Sequence, residues 1–136
     1  MNLNEIAQAV QTTNREVEFK PAGTKTGWYF ELRHESASEV QEVMRKFQAK
    51  IRDLTLKRKT SQYQSIVAAH EDTLRIAHVA GWRWEQGVDE EGGRPAFSNR
   101  ELKNLLNDDK LGWFVKQFID EEIGSLDDFL DRSEAN

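Results

Sequence analysis

Residues 81–106, GWRWEQGVDEEGGRPAFSNRELKNLL, constrain the fold more than any other stretch, because their residue choices are too particular for generic helix packing. Gly81 can adopt the positive φ that closes a helix. Trp82 and Trp84 alternate behind it at the period-2 spacing of an extended segment, with both rings on one side. The run from Val88 to Pro95 contains a Gly92-Gly93 pair and an Arg94-Pro95 step, which keep the chain out of helix. Ser98 and Glu101 then have the spacing of a capping box, and Phe97 can staple onto Leu102, so the next helix starts at Asn99. The stretch reads as helix end, ordered loop and helix start. On its residues alone it is a well-punctuated connection whose aromatics fill a core, and nothing in it is catalytic.

Upstream, two alternating runs predict strands. Residues 15–20 alternate polar and apolar, and residues 28–33 do so again with Trp28, Phe30 and Leu32 on one face. The intervening residues 21–27 are dense in turn formers, so residues 15–33 form a β-hairpin that sets Val17 and Phe19 beside the Trp28-Phe30-Leu32 face. A lone hairpin is marginal and needs cover. Before it, Leu3, Ile6, Ala7 and Val10 follow an Asn2…Glu5 cap pair, which predicts a short amphipathic helix over residues 3–10. A helix that short has to dock on the body or on a neighbouring copy.

After the hairpin, Ser36-Ala37-Ser38-Glu39 has capping-box spacing, and Val40, Val43, Met44, Phe47, Ile51 and Leu54 follow at helical intervals. A break falls near Thr60. Tyr63, Ile66, Val67, His70, Leu74 and Ala77 then carry a second long helix to Gly81. Beyond residue 106, Asn107-Asp108-Asp109 ends one helix and caps the next, whose stripe is Leu111, Phe114, Val115, Phe118 and Ile119, with Trp113 to one side. Gly124-Ser125 closes it before a last short helix with Leu126, Phe129 and Leu130. The expected fold class is α+β, mainly helical: a single domain over residues 1–136, with an N-terminal β-hairpin on four or five helices.

Composition narrows the function. A chain of 136 residues buries roughly two-thirds of its unfolded surface, so it needs no disulfide or metal for stability, and without cysteine it has no disulfide and no cysteine-based zinc site. Its longest apolar run is a few residues, and the N-terminus lacks signal-peptide order, so the expectation is a soluble, cytoplasmic protein without a membrane partner. Residues 1–80 carry 12 Lys/Arg against 10 Asp/Glu, whereas residues 81–136 carry 7 against 14. The acidic half argues against a nucleic-acid partner. Lys57-Arg58-Lys59, the one basic cluster, reads as a solvated helix end.

The chemistry-bearing residues are sparse. His34, His70 and His78 are the histidines, and His70-Glu71 has no second histidine four residues on, so the zinc-protease pattern is missing. Gly92-Gly93 lacks the Lys-Ser/Thr and strand–helix setting of a phosphate loop, and Glu90-Glu91 and Glu121-Glu122 read as solvated faces. No catalytic residue, metal ligand or cofactor is expected. Four tryptophans are generous for such a chain, and one or two are expected to be partly exposed.

The order of these features resembles the tail assembly chaperones of long-tailed bacteriophages and prophages. The likeness rests on the Trp28-Tyr29-Phe30-Glu31-Leu32-Arg33 strand, the Ser36-Ala37-Ser38-Glu39-Val40 helix start and a second helix closing at Gly81-Trp82. It continues through the Gly93-Arg94-Pro95-Ala96-Phe97-Ser98 loop and Leu105-Leu106 followed by Trp113. The resemblance implies a non-enzymatic protein of the bacterial host cytoplasm that binds the tape measure protein and keeps it soluble. It further implies delivery to polymerising tail tube protein, absence from the mature virion, and self-association into homo-oligomers. The alternative is a structural head–tail or tail-completion protein retained in the virion. A partner that accepts helical segments needs apolar stripes, and the Val40, Met44, Phe47 and Ile51 face or the Trp82 and Trp84 loop would serve.

Overall fold

The computed structural model describes residues 1–12, 14–57 and 60–123. Along these residues the chain forms α1 (Leu3–Thr12), β1 (Arg15–Glu18), β2 (Trp28–Leu32), α2 (Ser38–Leu56), α3 (Tyr63–His78), β3 (Val79–Trp84), α4 (Asn99–Leu106) and α5 (Gly112–Ile123). The fold is α+β and mainly helical, as the spacings demand. The short helix expected around Leu126, Phe129 and Leu130 lies outside the described residues.

The hairpin forms with Val17 opposite Phe30, and the Phe19 amide donates to the Trp28 carbonyl at 2.8 Å. Its connection turns through Pro21–Gly23, where Ala22 and Gly23 both take positive φ. The sheet, however, has a third strand. The helix expected to reach Gly81 ends at His78, and β3 pairs antiparallel with β2, Trp28 opposite Trp84 and Phe30 opposite Trp82. Gly81 lies inside β3 opposite Glu31 and is not among the positive-φ glycines, so it closes no helix. The helical body expected after residue 36 is therefore interrupted by a strand.

Aromatic packing explains that switch. Trp84 stacks on Trp28 at 4.3 Å and 15°, and Trp82 meets Trp28 edge-on at 5.1 Å, contacts that an extended segment gives and another helical turn would scatter. Val79, fully buried at the junction, is β-branched and suits the strand.

One face of the sheet and two helices make the core. Phe19, Trp28, Phe30, Leu32 and Val79 meet Leu102 and Leu106 of α4 and Val115 and Ile119 of α5. Each large apolar side chain buried there contributes about 1.5–3 kcal/mol. The close fit is visible at Gly112, where a Cβ would stand 2.6 Å from the Leu106 carbonyl oxygen. Arg75 of α3 clamps Asp120 of α5 with paired bonds of 2.8 Å and also reaches Asp72 at 2.7 Å, tying the base of α3 to the body. The opposite sheet face is polar: Arg83 pairs with Glu16 at 2.7 Å and lies over the Tyr29 ring.

Three of the four expected helix caps are present. Asn2 and Glu5 exchange bonds at α1, the Ser98 hydroxyl accepts from the Glu101 amide at 3.0 Å, and Asp108 Oδ1 accepts from the Lys110 and Leu111 amides at 2.9 and 2.8 Å. Those two amides hold the Asp108 carboxyl below its usual range. The Ser36…Glu39 box is the exception. The cap residue of α2 is Ala37, with no side-chain bond, because the Ser36 hydroxyl pairs with His34 at 2.7 Å and Glu39 with Arg33 at 3.7 Å. No helix among the described residues is long and apolar enough to cross a membrane.

Candidate partner-binding surface

The helices α2 and α3 form a hairpin inserted between β2 and β3. Thr55 meets Tyr63 beside the turn and Phe47 meets His70 further along, which sets the two helices antiparallel. The hairpin is thinly covered. Of the nineteen residues of α2 only Val40 and Leu54 are buried, and neither joins the sheet-centred core.

Between the helices runs a groove of about 220 Å³. Half-buried Val43 and Phe47 from α2 and Ile66 and His70 from α3 line it, with exposed Lys46 and Lys50 on its α2 side. The Phe47 ring lies flat on His70, centroids 3.8 Å apart and planes 12° from parallel. Burial pushes the His70 pKa down, with the Glu71 carboxylate opposing, so the stack is between two uncharged rings at neutral pH. Lys46 pairs loosely with Glu42 at 3.8 Å, while Lys50 has no ion-pair partner among the described residues. The groove thus offers apolar contact beside positive charge. Such a surface suits the apolar stripe of a helix with acidic flanks.

The residues singled out from sequence fall into separate places. Val40 is 2% exposed, beneath the surface at the base of α2, whereas Phe47 lines the groove. Met44 and Ile51 are half-buried on the same helix and do not line it. Trp82 and Trp84 do lie on one side of their strand, but on the sheet. Their indole N–H groups both donate to the Pro95 carbonyl, at 2.9 and 2.8 Å, and Trp82 meets Phe97 edge-on at 5.0 Å. The two tryptophans therefore clamp the loop of residues 85–97 onto the sheet. That loop is itself ordered: Asp89 and Arg94 exchange backbone bonds, and the Asp89 carboxylate accepts from the Gly92 amide at 2.7 Å.

Val43, Ile66, Lys46 and Lys50 were not read as partner contacts from sequence. A signal existed, because residues equally distant from the turn face each other in an antiparallel hairpin, and the α2 and α3 stripes run toward the same turn. The histidines are dispersed: His34 bonds Ser36, His78 Nδ1 lies 3.1 Å from the Arg33 carbonyl, and His70 lies on Phe47. No group of three or more His, Cys, Asp or Glu among the described residues is placed to hold a metal ion. Lys57 is occupied by Asp53 at 3.2 Å; Arg58 and Lys59 lie outside the described residues. Of the tryptophans, Trp28 is buried and Trp113 stands 65% exposed on α5.

No known protein family, characterised protein or solved structure matches this chain.

Proposed function

We propose that this chain is a non-enzymatic tail assembly chaperone of a long-tailed bacteriophage or prophage. It binds the tape measure protein in the host cytoplasm, keeps it soluble, passes it to the growing tail tube and is left out of the virion. The order of residues described above supports this reading, and the observation that carries it is the open α2–α3 groove. The groove's apolar side chains, Val43, Phe47 and Ile66, take no part in the main core, so a client can use them without competing with the fold.

The groove is suited to transient holding. Seating two aliphatic side chains of a client helix yields about 3–6 kcal/mol of gross apolar burial. Lost motional freedom offsets most or all of that. Each site is then weak and reversible, and a long client is held by many copies at once and released as the tube takes it up.

Co-expression with the tape measure protein of the same phage or prophage tests the reading. The expected result is a soluble client that co-purifies with the chain, which is missing from purified particles. An insoluble client with no co-purification contradicts it. Retention in purified particles would favour a structural component of the virion instead.

A further inference from the structure

The structure leaves two apolar surfaces open to solvent, and their chemistry matches. The first is α1: residues 1–9 are all exposed, with Leu3 at 84% and Ile6 at 45%. A ten-residue helix of this kind is barely stable in water unless its stripe is covered. The second is the α2–α3 groove, lined by Val43, Phe47 and Ile66.

We propose that α1 of one copy docks into the α2–α3 groove of a second copy. The occupant is a helix because Leu3 and Ile6, one turn apart, present the i, i+3 anchors that a groove between helices accepts. Charge favours the match: Glu5 is the one charged side chain of α1, with no basic residue to oppose Lys46 and Lys50 of the groove. A second copy is the partner because α1 lies exposed on its own chain. Reciprocal exchange places two arms in two grooves under one two-fold axis, so two weak contacts act together. The arm then covers the groove until a client displaces it, a last step that rests on the client-binding reading above; the docking itself does not.

The chain contains no cysteine, which makes the test direct. Ala7→Cys, which keeps both anchors, and Ala69→Cys are each made in the full chain, both at exposed positions. The two variants are mixed under mild oxidation. The expected product is a disulfide-linked dimer of unlike chains, several-fold more abundant than either like-chain dimer, and Leu3→Asp added to the arm variant lowers its yield several-fold. Sedimentation of the unmodified chain should show a dimer that Leu3→Asp disperses. A predominance of arm-to-arm dimers overturns the proposal. So does a link that forms only within one chain when both cysteines are placed in the same protein, or a monomer at all concentrations without cross-links. Failure of the client to co-purify would leave the unlike-chain link in place, so the two readings fail separately.

Discussion

The sheet-centred body and the α2–α3 hairpin are built to different standards. In the body, Phe30, Leu102, Val115 and Ile119 are fully buried, aromatic rings interlock, and Gly112 is fitted against backbone. The hairpin buries only Val40 and Leu54 from α2, and leaves Phe47, Ile66 and Val67 partly open to solvent. Dense packing makes a side chain indispensable to stability and unavailable to a partner. Sparse packing does the reverse, and elements that bind or move are drawn from the less stable end of a fold. The difference places stability in the body and leaves the hairpin free to carry the proposed recognition.

Substitutions can break or sharpen this contrast. Phe30→Ala, at the centre of the aromatic core, should cost about 3–5 kcal/mol in chemical denaturation and unfold much of the chain at growth temperature. Gly112→Ala should cost about 1–3 kcal/mol, because its methyl group meets the Leu106 carbonyl oxygen and forces α4 and α5 apart. Ser98→Ala should cost about 1 kcal/mol through the lost cap of α4, read as a shift in the thermal midpoint.

The acid limb of stability should come chiefly from His78 at the junction between hairpin and body, with half-buried His70 of the groove adding to it in the same direction. Burial lowers the His78 pKa in the folded chain, while the Arg33 carbonyl and Glu35 oppose that shift. The unfolded chain therefore binds the proton more readily. Stability is full above the unfolded value near 6.5 and falls as pH drops below it toward the folded value. His78→Gln should flatten that part of a stability-against-pH curve. The smallest stability effect is expected for Phe47→Ser, about 1 kcal/mol or less given its half-exposed ring, together with a large loss of client binding. A hairpin substitution as costly as Phe30→Ala would erase the contrast.

Most of the architecture was legible because it rests on local signals. The hairpin register follows from alternation of Val17, Trp28, Phe30 and Leu32, and the starts of α4 and α5 from Ser98 and Asp108. What stayed hidden depends on contacts distant in sequence. Gly81 looks like a helix stop, yet Trp82 and Trp84 find Trp28 and Phe30 more than fifty residues earlier, and that pairing makes a strand. The Ser36…Glu39 box failed for a related reason: His34 and Arg33, at the end of β2, engaged both of its side chains. The candidate site was half legible. Phe47 was visible on its stripe, but the groove needs α3 opposite α2, and nothing in the Trp82-Arg83-Trp84 spacing shows that Pro95 will take both indole N–H groups.

Amide hydrogen exchange of the full chain carrying Leu3→Asp, which keeps α1 out of the groove, with and without a soluble segment of the proposed client, the tape measure protein, tests the division of labour most directly. Bound client should slow exchange along residues 43–50 and 66–73, while the amides of β2, α4 and α5 keep their already slow rates. New protection confined to the sheet, α4 or the Trp82 and Trp84 loop, or no protection anywhere under conditions where the client is retained, would contradict the assignment of recognition to the hairpin.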